Sequence, residues 1–289
     1  MTGHKAGTVW YSYYKAGLVF LLITVSLLTG CSIFGGKEPK HIPLGEVRFY
    51  IQAGDKYAED EDYEKAIESY LAAIKLNPKS VDAHMQLGKA YANSGRTKLA
   101  LDEFAKIIEI EPNNSQAHNY RGVLYGNQEE WAEAAKEHEA ALRITPDDLY
   151  ALNRLGLMYR EMGRYKEAKK VLQKAAELDP EMDDPESRDT HCYLGIIYQD
   201  EGKLDKAIAE FSKALEHFPS DANLHNHLGA ALENAGRYEE ADKEYEEVLK
   251  IDPENIFAKS RLEAIRRTDA VFREIPPVEI VKDDVERYI

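Results

Sequence analysis

The chain has 289 residues, 31% of them charged, and a formal net charge of −15 at pH 7. It contains no stripe of clustered lysines and arginines, which binding to a phosphate backbone requires. The composition therefore argues against nucleic acid as a partner, and an acidic excess of this kind is typical of a solvated surface.

The first thirty residues differ from this acidic background. Residues 1–15 contain two lysines and no acid, and residues 16–27 (AGLVFLLITVSL) are almost wholly apolar. A run of twelve residues is too short for a membrane-spanning helix, which needs about 20. It has the length of the apolar region of an export signal, so residues 1–30 are predicted to be a signal peptide.

The sequence Leu28-Thr29-Gly30-Cys31 follows this run and resembles the lipobox of bacterial lipoproteins. The resemblance implies cleavage before Cys31, lipidation of Cys31, and a membrane partner reached through the N-terminal lipid. Ser32, rather than an aspartate, follows the cysteine, which implies an outer-membrane location facing the periplasm. The alternative is a plain signal anchor with a chance cysteine.

Only two cysteines are present, so a lipidated Cys31 leaves Cys192 without a disulfide partner. The spacing around Cys192 supports no metal or redox role, and the fold must therefore be held by packing. Residues 31–46 are rich in Gly, Pro and charge, which predicts a tether between the lipid and the folded part.

From residue 47 onward the chain repeats a pattern every 34 residues. The six units are 47–80, 81–114, 115–148, 149–182, 188–221 and 222–255. Within each unit, position 8 is glycine, at residues Gly54, Gly88, Gly122, Gly156, Gly195 and Gly229. Position 20 is alanine, at Ala66, Ala100, Ala134, Ala168, Ala207 and Ala241, and position 32 is proline, at Pro78, Pro112, Pro146, Pro180, Pro219 and Pro253. Such a period is the signature of a stacked-repeat architecture.

These columns have a direct physical interpretation. Small residues at positions 8 and 20 let two antiparallel helices approach closely, and six helical glycines imply a packing requirement because each costs about 1 kcal/mol relative to alanine. Gly95, Gly163, Gly202 and Gly236 lie where a left-handed residue ends the first helix. The proline at position 32 stops the second helix.

The pattern resembles the tetratricopeptide repeat (TPR) family, whose unit is a 34-residue helix–turn–helix. The resemblance covers residues 47–255 and implies an all-α fold, a right-handed α-solenoid of six TPR helix–turn–helix repeats. Residues 256–267 are predicted to form a C-terminal capping helix, since solenoids need a more polar outer face at their ends.

Two segments depart from the pattern. Residues 183–187 (DDPES) are inserted between the fourth and fifth units. They form either a tolerated loop, or a lengthened helix end or bend that splits the stack into four and two repeats. Residues 268–289 are an acidic tail containing IPPVEIV, either extended and disordered or docked on the protein's own surface or on a partner.

No catalytic motif is present: the chain lacks a Gly-rich phosphate loop, HExxH, CxxC and GxSxG. The sequence therefore predicts no enzyme, no cofactor, no metal site and no small-molecule substrate. His84, His118, His191 and His225 all occupy position 4. Because successive helix layers lie about 10 Å apart, these imidazoles cannot share an ion, and we expect them to be structural.

In the family, the first helices line a concave groove through positions 2, 5, 9, 12 and 13. The candidate groove residues are Met85, Lys89, Asn93, Asn119, Asn127, Asn153, Arg160, Asn226 and Asn234. A carboxamide both donates and accepts, so a ladder of asparagines could bind the backbone of an extended peptide. The alternative is that these residues only solvate the groove. The carboxylate clamp of some family members is absent, and groove acids outnumber groove cations, so a basic or neutral segment is the predicted ligand.

These observations favour a lipid-anchored adaptor of the bacterial envelope that holds part of another envelope protein in its groove. A second hypothesis, based on architecture and size, is a pilotin-like assembly factor for a type IV pilus or secretion secretin. A third hypothesis is a regulatory subunit for cell-wall or polysaccharide enzymes.

Overall fold

The computed structural model describes residues 44–268. Cys31, the signal peptide, most of the linker and the tail after Thr268 lie outside the described residues. Every regular element in this range is a helix. The helices are Leu44–Glu59 (α1), Tyr63–Leu76 (α2), Val81–Asn93 (α3), Thr97–Ile110 (α4), Ser115–Gly126 (α5), Trp131–Ile144 (α6), Leu149–Glu161 (α7), Tyr165–Leu178 (α8), Glu186–Asp200 (α9), Leu204–His217 (α10), Ala222–Asn234 (α11), Tyr238–Ile251 (α12) and Ile256–Thr268 (α13).

The helices alternate as the first and second members of successive pairs, and α13 follows the last pair. The predicted all-α repeat architecture is confirmed. The position-20 alanines are all fully buried, as the close approach of the paired helices requires. Each position-8 glycine faces the large side chain at position 24 of its own unit, namely Tyr70, Phe104, His138, Leu172, Phe211 and Tyr245.

The turns between paired helices use the left-handed backbone region. Gly95, Gly163, Gly202 and Gly236 have φ between 71° and 75°, as predicted. Glu61 and Glu129 occupy the same position in the first and third units, with φ of 58° and 60°.

The sequence interpretation missed a set of helix N-cap residues at position 34 of the units. Its side chains accept hydrogen bonds from the first turn of the next helix, at 2.9 to 3.3 Å. They are Ser80, Asn114, Asp148, Asp221 and Asn255. Such residues are preferred helix N-caps, so the column could have been found from residue types alone.

The fourth unit has Met182 at position 34, and the inserted residues follow it. Asp179 organises this loop: its carboxylate accepts hydrogen bonds from the backbone N–H of Asp184, at 2.9 Å, and from the Ser187 hydroxyl, at 2.6 Å. Helix α9 begins at Glu186, so the last two inserted residues are helical. Met182 is buried in this loop.

Two large apolar clusters form the interior of the described residues. One runs from Ala66 to Leu124, and the other runs without interruption from Ala134 to Ile265. The second cluster passes the insertion, so the buried core is continuous there. The gap between the clusters falls instead within the third unit, between α5 and α6.

Candidate functional site: the groove of the first helices

The predicted groove residues do not share one environment. Asn93 and Asn127 are exposed at the ends of α3 and α5, whereas Met85 is buried. Lys89, Arg160, Asn226 and Asn234 are half-buried. Exposed and half-buried polar side chains therefore follow the first helices from the second unit to the sixth.

Asn119 and Asn153 require a correction, because both lie inside the stack. Asn119 is 8% exposed and Asn153 is 1% exposed. The Asn119 amide donates to Asp148 at 2.9 Å, and its oxygen lies 3.1 Å from Nδ1 of His138.

Asn153 is occupied in the same way. Its amide donates to the carbonyl of Glu186 at 2.7 Å, and its oxygen accepts from the Thr190 hydroxyl at 2.7 Å. Because both carboxamides are buried and hydrogen-bonded within the stack, they are not exposed to a peptide in the groove, and an unbroken asparagine ladder is not present.

Arg160 is neutralised within the groove. Its guanidinium donates to Asp200 at 2.7 Å and to Glu161 at 2.9 Å. A groove cation with two carboxylate partners offers little net charge to a ligand. Asn226 differs, because its buried Oδ1 has no hydrogen-bond partner among the described residues.

The position-4 histidines form a repeated pair that the sequence interpretation missed. Nδ1 of His84 lies 2.6 Å from Oε2 of Glu103. The same pair recurs at 2.7 Å in three further units, as His118–Glu137, His191–Glu210 and His225–Glu244. Two units lack the histidine, and they also lack the glutamate: they carry Tyr50 with Ser69, and Leu152 with Val171. This correlation between positions 4 and 23 was present in the sequence.

Contacts across units fix two of these rings. Nε2 of His84 lies 3.0 Å from the carbonyl oxygen of Pro78, and Nε2 of His225 lies 3.1 Å from that of Pro219. The hydrogen bond to glutamate raises the pKa of both histidines, against the opposing effect of burial. The histidines are thus structural parts of the repeat interface, as expected.

His138 is a different kind of histidine. It takes the position-24 place beside Gly122, where other units carry Tyr, Phe or Leu. Burial, and to a smaller extent Arg154, lowers its pKa to about 3. His138 is therefore neutral at physiological pH and donates through Nδ1–H to Asn119.

Two tyrosines and two cations between α3 and α7 were not singled out together by the sequence. Nζ of Lys89 lies 5.1 Å from the centre of the Tyr120 ring, and Cζ of Arg154 lies 5.0 Å from the centre of the Tyr150 ring. Phe104 stacks on Tyr120 with ring centres 5.1 Å apart. Burial raises the pKa of the Tyr150 hydroxyl, which Arg154 opposes.

Residues 44–268 contain neither a candidate membrane span nor a candidate metal cluster. None of the helices there is both long enough and apolar enough to span a membrane. In the same range, no three His, Cys, Asp or Glu side chains are grouped as metal ligands.

Comparison with protein families gives matches along most of the described range. Models of the tetratricopeptide repeat match residues 54–95, 81–114, 113–181, 147–220 and 194–256. A comparison with curated protein sequences finds no match.

Solved structures share the fold. PilW, a widely conserved type IV pilus biogenesis factor, has a TM-score of 0.65 at 19% identity, over 75% of this chain and 98% of that one. PilF of Pseudomonas aeruginosa has a TM-score of 0.62 at 18% identity, over 76% of this chain and 98% of that one. The APC/C hetero-tetramer Cut9–Hcn1 also has a TM-score of 0.62 at 18% identity, over 76% of this chain, which spans 43% of that one.

Proposed function

Because this chain belongs to the tetratricopeptide repeat family, we propose that it is an adaptor whose groove holds an extended segment of another envelope protein. The observation that carries the proposal is the row of exposed and half-buried polar side chains along the first helices, from Lys89 on α3 to Asn226 on α11. Carboxamide side chains both donate and accept hydrogen bonds, so they can bind the backbone of an extended segment. Exposed Asn93 and Asn127 extend the same polar surface along α3 and α5.

Partner capture tests the groove directly. A soluble form lacking residues 1–31 is used as bait against an envelope extract, with Asn127→Arg and Asn226→Ala as groove variants. Gln173→Arg, which changes an exposed amide on the second helix α8, is the matched control. We expect the groove variants to lose partners that the control retains. Equal capture by all forms would contradict binding in the groove.

Lipidation of Cys31 is the second part of the proposal. The sequence LTGC after a twelve-residue apolar run supports it, and attachment of more than one acyl chain makes anchoring stable. We expect wild-type protein to incorporate labelled palmitate and to sediment with outer membranes, and Cys31→Ala to do neither as a mature protein. Unchanged labelling of Cys31→Ala would rule out this anchor.

A second candidate function is assembly of a pilus secretin. It is favoured by the likeness to PilW, which extends over 98% of that chain. Secretin multimers should fail to form in a strain that lacks this protein. Normal multimers in such a strain would leave the general adaptor function as the better account.

A further inference from the structure

The groove between α3 and α7 contains two cations that lack carboxylate partners. Within residues 44–266, eight cationic side chains are half-buried, and six of them have a carboxylate oxygen within 4 Å. These six are Arg96, Arg121, Arg160, Lys169, Arg188 and Arg261. In this described range the two exceptions are Lys89 on α3 and Arg154 on α7. The tyrosines beside them, Tyr120 and Tyr150, are close enough to interact electrostatically.

Aromatic rings take the place of counter-ions there. Lys89 and Arg154 lie over Tyr120 and Tyr150, at 5.1 and 5.0 Å. A ring face attracts a cation, but it leaves the charge unneutralised. A partly desolvated cation is therefore available to form a charge-assisted hydrogen bond with an anion, which is stronger than a neutral one.

Glu186 is not a counter-ion for Arg154. It begins α9 and lies beyond 4 Å from Arg154, and its pKa is raised by burial and by Asp189 despite the opposing effect of Arg154. Lys89 belongs to α3 and Arg154 to α7, so an anion between them would lie across α5. Tyr120 on α5 is held against Phe104, which gives the site an apolar, ordered floor.

We infer that the cluster Lys89, Tyr120, Tyr150 and Arg154 binds an aspartate or glutamate side chain of an extended partner segment, with apolar neighbours of that acid on the tyrosine rings. The guanidinium can engage a carboxylate through two parallel hydrogen bonds, and lysine contributes a point charge. This inference rests on the proposed groove function and names its ligand chemistry. It replaces the expectation of a basic or neutral segment, because neither Lys89 nor Arg154 has a carboxylate oxygen within 4 Å, whereas each lies over a tyrosine ring.

Defined peptide pools test the preference. The probes are fluorescein-labelled, C-terminally amidated nonapeptides with Glu or Gln fixed at the centre and mixed uncharged residues elsewhere. A third pool has the central Gln and a free C-terminus. Binding to the full chain in detergent is measured by fluorescence anisotropy at about 150 mM salt, where long-range attraction is screened. We expect the Glu pool to bind about tenfold more tightly than the amidated Gln pool.

Variants assign the preference to the cluster. Arg154→Gln should abolish it, Lys89→Gln should reduce it, and Arg154→Lys should retain part of it. Arg143→Gln is the matched control, because Arg143 is an exposed cation on α6 and the substitution removes the same charge. Circular dichroism and the urea midpoint verify that each variant is folded.

The contradicting outcomes are distinct. Equal affinities for the amidated Glu and Gln pools, or a preference that survives both Arg154→Gln and Lys89→Gln, would overturn the inference. Tighter binding of the free-carboxylate pool than of the Glu pool would assign the site to a chain end and overturn the side-chain version. The groove function fails separately, only if Asn127→Arg and Asn226→Ala leave partner capture unchanged.

Discussion

A glycine in the first helix of each unit lies directly beneath a large side chain of the second helix. A Cβ added at Gly195 would lie 2.5 Å from Cε1 of Phe211, and one added at Gly229 would lie 2.9 Å from Cε1 of Tyr245. Phe211 and Tyr245 are fully buried, so neither ring has space to retreat. The absence of a side chain is what permits this contact.

Gly195→Ala should lower the free energy of unfolding by about 1–3 kcal/mol, the usual cost of overpacking a core. Gly126→Ala is the matched control. Its Cβ would meet only the flexible Met158, at 3.6 Å from the sulfur, and alanine is favoured over glycine in helices by about 1 kcal/mol. Urea unfolding measures both. Equal stability of the two variants would contradict the packing explanation.

The ring of His84 is placed to donate from both nitrogens. Nδ1 faces the carboxylate of Glu103 at 2.6 Å, and Nε2 faces the carbonyl of Pro78 at 3.0 Å. A neutral imidazole has a single N–H, so only the charged ring satisfies both acceptors. The hydrogen bond to Glu103 accordingly raises the pKa of His84, against the effect of burial.

The raised pKa of His84 determines in which direction the stability of the fold changes with pH. A histidine whose folded pKa exceeds its unfolded value of 6.5 stabilises the fold fully below pH 6.5, and that contribution disappears as the pH rises through the folded pKa. Stability measured by urea unfolding should therefore fall from pH 6.5 towards alkaline pH. His84→Leu with Glu103→Val, which copies Leu152 and Val171 of the fourth unit, should flatten that fall. If stability fell as steeply with pH in this double variant as in wild type, His84 would not be the cause of the fall.

At the scale of the element, the turn between paired helices requires a left-handed residue. Glycine supplies it in four units, whereas Glu61 and Glu129 adopt φ of 58° and 60° in the other two. A residue with a Cβ pays roughly 1–2 kcal/mol for this conformation. The two glutamate turns are therefore strained relative to the glycine turns.

Glu129→Gly should raise the stability of the chain by about 1 kcal/mol, since the strain is relieved while glycine also loses more backbone entropy on folding. Gly163→Ala provides the reverse change in the neighbouring unit, at φ of 71° with no atom within 4 Å of the added Cβ, and should destabilise by a similar amount. Thermal unfolding measures the change in stability of each variant. A destabilised Glu129→Gly would show that its side chain makes a contact that outweighs the strain.

The sequence pattern predicted the helices well because the contacts that define each helix pair lie within one unit. The glycine, alanine and proline columns report contacts inside one unit, and each could be read at fixed spacing. Asn119 and Asn153 were misjudged because their burial depends on Asp148 and Glu186 of adjoining segments.

The groove charges were misjudged for a related reason. Sequence places Arg160 at a groove position, but its pairing with Asp200 crosses from α7 to α9. The unpaired state of Arg154 follows from which carboxylates lie near it, and a repeat pattern does not contain that information. Spacing thus predicts which residues line the surface, whereas packing between units decides which of them remain available.

At the scale of the molecule, the third unit joins two apolar clusters through polar groups. His138 takes the place of a ring or leucine, and its hydrogen bond to Asn119 continues to Asp148. The position-24 contact of this unit is therefore between a neutral imidazole and a carboxamide instead of between hydrocarbon groups. Solenoid stability depends on the interfaces between neighbouring units, which makes this unit the expected weak point.

Lowering the pH should destabilise the third unit. The pKa of His138 is lowered to about 3 by burial, from 6.5 in the unfolded chain, so unfolding takes up a proton below pH 6.5 and stability falls as the pH falls. At pH 5 the loss is about 2 kcal/mol relative to neutral pH, from 1.36 kcal/mol per pKa unit. Urea unfolding of wild type and His138→Phe at the two pH values measures it. Equal losses in both proteins would exclude His138 as the cause.

Asn119→Met with His138→Phe copies Met85 and Phe104 of the second unit and should connect the two clusters with apolar contacts. We expect native-state hydrogen exchange of wild type to show two cooperative units, with their border between α5 and α6, since sub-global opening follows weak interfaces. In the double variant the border should disappear and the N-terminal amides should gain protection. His138→Phe alone leaves the Asn119 oxygen without its donor, so it should gain less than the pair. A single cooperative unit in wild type would contradict this account of the third unit.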